Sequence, residues 1–209
     1  TDVSGMYTAN PKLVKQAYPI EKISYQEAME LSHFGAKVLY PPTIQPALDR
    51  RIPILIKNTL AAEDKGTLIT EKSLVSGSIV KGISHIEDIA LLTLEGNGMV
   101  GVPGISKRLF GALAENNINV KFITQASSEH SICIAINTEE SLLAKEAVDK
   151  EFEFEILQHK VNPLIIEADL AIIALVGDNM KSHQGISGKM FSELGTNNVN
   201  IRAIAQGST

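Results

Sequence analysis

The chain has 209 residues, 44% of them hydrophobic and 21% charged, with a net charge of −5 spread along its length. That balance builds a core and excludes a disordered chain, and without a basic stripe nucleic acid is not an expected partner. The longest apolar runs, such as Leu170–Val176, fall far below the roughly 18 residues a membrane helix needs, and no signal peptide opens the chain, so the expected compartment is the cytoplasm.

Residues 1 to about 72 have their own texture. Ser24-Tyr-Gln-Glu27 has the spacing of a capping box ahead of an apolar helix, because a serine oxygen and a glutamate three residues on can satisfy each other's backbone amides. Phe34-Gly-Ala-Lys-Val-Leu and two proline-rich turns follow, then Ile52-Pro-Ile-Leu-Ile, which reads as a buried strand. The polar stretch Ala61 to Gly66 predicts a turn before the strand Thr67-Leu-Ile-Thr, and Glu71–Gly77 is the expected boundary of this region.

Beyond it the chain repeats itself. Gly104 to Ser128 aligns without a gap on Gly185 to Thr209, an offset of 81 residues, with eleven of twenty-five positions identical. The identities include Gly104/Gly185, Ile105/Ile186, Ser106/Ser187, Asn116/Asn197 and Gln125/Gln206. Each copy has an apolar strand (Ala90–Leu94; Ala171–Val176), a turn rich in glycine, asparagine or aspartate, and Gly-Ile-Ser opening an amphipathic helix. In the first copy Leu109, Phe110, Leu113 and Ala114 repeat at helical spacing, and Asn116-Asn117 marks the stop, since asparagine tolerates a left-handed backbone. Val120-Lys-Phe-Ile-Thr, the alternating run 131–136, a helix near Glu139–Lys150 and the alternating Phe152-Glu-Phe-Glu-Ile complete a βαββαβ order. Such an order forms an antiparallel sheet covered on one face by two helices. The second copy reaches Thr209 just past its second strand, so a truncated second unit is expected.

Candidate functional residues follow from this pattern. The helix openings Gly104-Ile105-Ser106 and Gly185-Ile186-Ser187 offer unpaired amides and a positive dipole end to a small carboxylate, although every helix has such an end. Gln125 and Gln206 stand at matched strand ends, where an amide can both donate and accept; they fit either an amino-acid reader or ordinary surface glutamines. Gly96-Asn-Gly98-Met-Val-Gly101 formally satisfies a dinucleotide fingerprint. It is set aside because Gly177-Asp-Asn-Met-Lys-Ser lacks the pattern, Lys121 stands where an acid is needed, and antiparallel order is the wrong scaffold. The five histidines are scattered without ligand spacing, so no metal site is expected, and Cys133 reads as a core residue of its strand. No compact nucleophile motif is present, and no catalytic residue is assigned.

Taken together the motifs identify a family. Thr1-Asp-Val-Ser-Gly-Met-Tyr-Thr-Ala-Asn-Pro-Lys resembles the opening stretch T-D-V-x-G-x-Y-T-x-D-P-R of aspartokinases, and Phe34-Gly-Ala-Lys-Val-Leu-Tyr-Pro resembles their F-G-A-K-V-L-H-P. The repeat, with Ile123-Thr-Gln-Ala-Ser-Ser-Glu-His-Ser-Ile and Ala203-Ile-Ala-Gln-Gly-Ser, is similar to the regulatory region of the threonine-sensitive, bifunctional aspartokinase–homoserine dehydrogenases. The resemblance implies an α+β chain: the C-terminal part of an α/β amino-acid-kinase domain over 1–72, a linker and strand (73–88) contributed to the second ACT domain, a first ACT domain over 89–160 and a second, truncated one over 161–209. It implies ATP with magnesium as the parent enzyme's cofactors, with Thr1, Asp2, Tyr7, Lys12 and Lys37 around the nucleotide. Lys12 stands where the family has arginine, which keeps the charge and loses the bidentate geometry; Asn10, Tyr40 and Pro42 also depart from the pattern. Gln125, Gln206 and the two Gly-Ile-Ser openings match the family's effector contacts, and a homodimer through the ACT sheets is implied. Lys121, where lysine-sensitive relatives tend to place an acid, argues for threonine over lysine as effector. The alternatives are a dimerisation module without ligand and a lysine-sensing enzyme. No phosphate-binding portion of the kinase lies within the chain, so the isolated chain is expected not to turn over.

Overall fold

The computed structural model describes residues 1–33, 38–72, 79–125, 129–178 and 180–207. The chain divides into two compact units, one formed by 1–86, 172–200 and 207–209, the other by 87–171 and 201–206. The expected boundary at Glu71–Gly77 falls largely outside the described residues.

The first unit contains β1 (Lys22–Ser24), α1 (Tyr25–His33), α2 (Gln45–Asp49), β2 (Ile54–Ile56) and β3 (Thr67–Thr70). β3 lies between a parallel β1 and an antiparallel β2. Met6, Ile23, Tyr25, Ala28, Leu31, Ile44 and Ile69 make its core, with Val176 from the second repeat among them. The predicted capping box forms: Glu27 N donates to Ser24 Oγ at 3.1 Å and Ser24 N to Glu27 Oε2 at 3.0 Å. Thr67 is fully buried, and its hydroxyl is satisfied by donating to Ile20 O at 2.6 Å while accepting from Met6 N at 2.8 Å. The Ile52–Ile56 run differs from expectation, since Ile52 and Leu55 are exposed and only Ile56 is fully inside. β2 covers one side of β3 only, so its alternate side chains face solvent.

The second unit takes β4 (Gly82–Glu95) from residue 87 onward, then α3 (Ile105–Glu115), β5 (Phe122–Gln125), β6 (Ser131–Asn137), α4 (Ser141–Glu151), α5 (Glu153–Leu157) and the first part of β7 (Ile165–Val176). The sheet order is β5-β6-β4-β7, with β6 antiparallel to both β4 and β5, which is the ferredoxin-like arrangement. Leu92, Leu94, Leu109, Leu113, Ile132, Ile134, Ile136, Val148 and Phe152 fill the space between sheet and helices.

Two expectations are corrected here. The segment from Phe152 is not a strand: Phe152 caps both α4 and α5, Glu153–Leu157 is helical, and β7 supplies the fourth strand of the sheet. A strand puts Phe152, Phe154 and Ile156 on one face; the structure buries Phe152 completely, packs Ile156 against the same core and leaves Phe154 68% exposed. Only a helical turn places residues four apart together and sends the middle one out. Cys133 is half-buried and lies opposite Thr93, on the face away from Ile132, Ile134 and Ile136. Its strand does alternate, and the isoleucines hold the core face.

The second copy's helix, α6 (Ile186–Thr196), belongs to the first unit and has no fully buried residue. The two copies end alike: Asn117 and Asn198 take φ of +56° and +57° one residue past the caps Asn116 and Asn197. Asparagine at that position tolerates the left-handed region and lets the chain leave the helix within one turn.

Candidate functional site: the opening of the first repeat helix

In the second unit, a cavity of about 480 Å³ opens where the turn after β4 meets the start of α3. Its lining includes Gly104, Ile105, Ser106 and Gln125, four of the residues singled out by the repeat. Gly104 has φ +92° and ψ −1°, the left-handed conformation that swings the chain into the helix. The helical ladder begins only with Arg108 N to Gly104 O at 3.0 Å, so the amides of Ile105, Ser106 and Lys107 precede it and point along the helix axis. Together with the helix dipole they make the floor of the cavity attractive to a carboxylate.

A methyl group at Gly104 or Gly185 meets nothing within 4 Å, so the cost of substitution is backbone strain alone. Gly104→Ala and Gly185→Ala are each expected to destabilise by about 1–2 kcal/mol. Urea denaturation of the two variants checks this, and unchanged midpoints count against the strain.

Gln125 sits at the exposed end of edge strand β5, opposite Ile132. Two charged lining residues were missed in the sequence, Lys107 and Glu129. Glu129 Oε2 accepts the amide of Gly101 at 3.0 Å, tying the β5–β6 connection to the turn ahead of α3. Its backbone has φ +57°, which no motif or periodicity signals. Lys121, which carried the expected preference for threonine, precedes β5, pairs its amide with Ala135 O at 2.8 Å and is not among the residues lining the cavity.

The helix that forms the floor is clamped from behind. Arg108 donates from Nε to Glu151 Oε1 at 2.7 Å, from Nη1 to Glu155 Oε1 at 2.5 Å and from Nη2 to Glu151 O at 2.6 Å. Its guanidinium lies 4.3 Å above the centroid of Phe152. The hydrogen bond from Arg108 holds the Glu155 carboxyl below the ordinary range, and the two glutamates raise the arginine in turn. This fixes α3 to α4 and α5, so the cavity floor belongs to a rigid layer.

For the second copy, Gly185, Ile186 and Ser187 open α6 in the first unit, with Gly185 at φ +84°, whereas Gln206 belongs to the second unit. Of the residues expected around a nucleotide, those described have local partners. Thr1 O accepts from Thr59 N at 2.9 Å, Asp2 accepts from the Thr1 hydroxyl at 3.2 Å, and Tyr7 bridges to Pro19. Lys12 is exposed on a turn, its amide donating to Asn10 Oδ1 at 3.0 Å, and Lys37 lies outside the described residues. Among the described residues no group of three or more histidine, cysteine, aspartate or glutamate side chains is placed to hold a metal ion. No helix of the described residues is long and apolar enough to cross a membrane.

Comparison with known proteins bears on this geometry. Residues 92–152 and 173–209 match the ACT domain, and residues 1–58 match the amino acid kinase family. The whole chain is 42% identical to a bifunctional aspartokinase/homoserine dehydrogenase of Haemophilus influenzae, of which it covers 26%. Over its full length it superposes on an aspartate kinase of Clostridium acetobutylicum with a TM-score of 0.86 and 32% identity, covering 47% of that chain. Aspartokinase III of E. coli, in complex with lysine and aspartate, gives a TM-score of 0.78 at 31% identity, with 45% of it covered. The chain therefore spans about a quarter of the bifunctional relative and about half of these aspartate kinases.

Proposed function

Because this chain belongs to the aspartokinase family and carries its ACT domains, we propose that it is the region through which such an enzyme senses an end-product amino acid, threonine. The parent reaction is transfer of a phosphoryl group from magnesium ATP to L-aspartate, the step that opens lysine, threonine and methionine synthesis, in a cytoplasmic enzyme of the bifunctional type. The domain reading is a kinase-domain part over 1–72, a linker and strand over 73–88, and ACT domains over 89–160 and 161–209.

The observation that carries the reading is the gathering of Gly104, Ile105, Ser106 and Gln125 around one cavity of about 480 Å³. That volume falls within the ~300–1,000 Å³ of small-ligand clefts. The α-carboxylate takes the amides at the start of α3, while the Gln125 amide takes the hydroxyl or the ammonium group. Glu129 uses one oxygen on Gly101 N and offers the other to the ammonium. E. coli aspartokinase III, a neighbour at 31% identity, is described in complex with lysine, so an amino acid of this class suits the fold. Threonine is proposed over lysine because the repeat resembles the regulatory region of the threonine-sensitive bifunctional enzymes.

The sensor is proposed to act as a homodimer through its ACT sheets, for which the exposed Ile123 and Ile165 of the second unit supply apolar surface. Threonine that binds the folded chain is expected to raise its melting temperature, and at about 100 times its Kd the stabilisation is ~2.7 kcal/mol. Thermal melts with threonine, with lysine and with neither separate the readings. A shift with lysine alone makes the chain a lysine sensor, and no shift with either leaves a dimerisation module.

A further inference from the structure

Glu27 does more than cap α1. The side chain is 1% exposed, and while Oε2 accepts the amide of Ser24 within the capping box, Oε1 accepts the amide of Asp178 at 3.0 Å, 151 residues along the chain. Both contacts lie within the first unit. A buried carboxylate needs both oxygens satisfied, so α1 and the Asp178 turn share one anchor. Asp178 is half-buried and its Oδ1 has no hydrogen-bond partner. Burial first, and then the nearby Glu27, push its carboxyl up, against a hydrogen bond from Ser24 and the charge of Lys81.

The repeat shows what this turn is. Gly177-Asp178 corresponds to Gly96-Asn97, and in the first copy the turn that follows contributes Met99, Gly101, Val102 and Pro103 to the cavity before reaching Gly104. The second turn leads along the sequence to Gly185, the cap of α6. The anchoring differs between the copies. In the first, Gly96 N donates to His130 O and Gly98 N to Lys160 O, at 3.0 and 2.8 Å, all within the second unit. In the second, the strand end is tied by Lys81 N to Val176 O at 2.8 Å and the turn itself by Glu27 of the kinase-type segment.

We propose that Glu27 is the coupling residue through which the effector turn of the second repeat acts on helix α1 of the kinase-type segment. An effector that moves this turn moves the Asp178 amide with it, and the carboxylate that holds this amide also holds the first turn of α1. The proposal rests on the effector reading above, and the two fail separately.

The test is amide hydrogen exchange over α1, residues 25–33, in the whole chain with and without threonine, alongside calorimetric titration of threonine. In the wild type, threonine is expected to change α1 exchange by about threefold or more, within the range of ordinary site-to-site coupling. Glu27→Gln is expected to bind threonine as before and to lose this α1 response. Asp178→Asn keeps the backbone donor and removes the like charge beside Glu27, so it is expected to slow α1 exchange in the absence of ligand; it remains informative if Glu27→Gln does not fold. Measurable binding with no α1 response in the wild type, the same response in Glu27→Gln, or unchanged or faster α1 exchange in Asp178→Asn overturns the coupling while leaving the effector reading intact. Absence of threonine binding by the wild type overturns both.

Discussion

Phe152→Ala is expected to remove about 3–5 kcal/mol from the second unit, the range for truncating a fully buried aromatic side chain. Phe152 has no exposed surface and joins the core formed by Leu109, Leu113, Val148 and Val161. Its ring also carries the Arg108 guanidinium at 4.3 Å. The substitution therefore leaves a cavity and removes the platform on which the arginine reaches Glu151 and Glu155. Because the chain has two units, hydrogen exchange of β6 and α4 is the proper readout, with the first unit's β3 as the internal control. Unchanged exchange in β6 means that the helical reading of residues 152–157 has misplaced this side chain's contribution.

Gln125→Ala is expected to weaken threonine binding by roughly 10- to 150-fold, the equivalent of ~1.5–3 kcal/mol for a hydrogen bond to a charged group. The residue is exposed at the end of an edge strand, so folding stability is expected to change by no more than about 0.5 kcal/mol. Calorimetric titration of threonine into wild type and variant measures the first quantity and a denaturant melt the second. Equal affinities remove Gln125 from the site. The parallel variant Gln206→Ala reports whether the second copy contributes: loss of one of two binding events assigns it a site, and two unchanged events assign it none.

How far the sequence reached depends on what kind of information each feature needed. The capping box Ser24–Glu27 was legible because its chemistry is local, two side chains and two amides within four residues. The left-handed exits at Asn117 and Asn198 were legible for the same reason. The segment 152–157 was misread because three apolar residues spaced two apart satisfy strand alternation on paper. Which of them faces the core depends on α3 and β6 packed against them, and the structure chooses the pair four apart. Cys133 was misplaced in the same way: alternation tells which residues share a face and not which face meets the core, whereas Ile52 is exposed because it precedes β2.

The candidate site divides along the same line. Gly104, Ile105, Ser106 and Gln125 came from comparing the chain with itself, since duplication marks positions without any knowledge of where they lie. Lys107 and Glu129 have no repeat signal to point to them; Lys107 faces Gly188 in the second copy, and the position matching Glu129 lies past Thr209. They were found only once the turn after β4 and the β5–β6 connection were seen to meet, at Gly101 and Glu129.

By itself, the sequence determined the α+β class, the duplicated helix openings and the resemblance to the aspartokinases, because periodicity, turn chemistry and internal repetition are written in neighbouring residues. Only the tertiary structure decided that β7 and not residues 152–156 completes the sheet, that Gln125 and Glu129 border one cavity, and that Glu27 holds the amide of Asp178. Each of these depends on which surfaces exclude water together, and burial is a property of the packed chain that no local pattern carries.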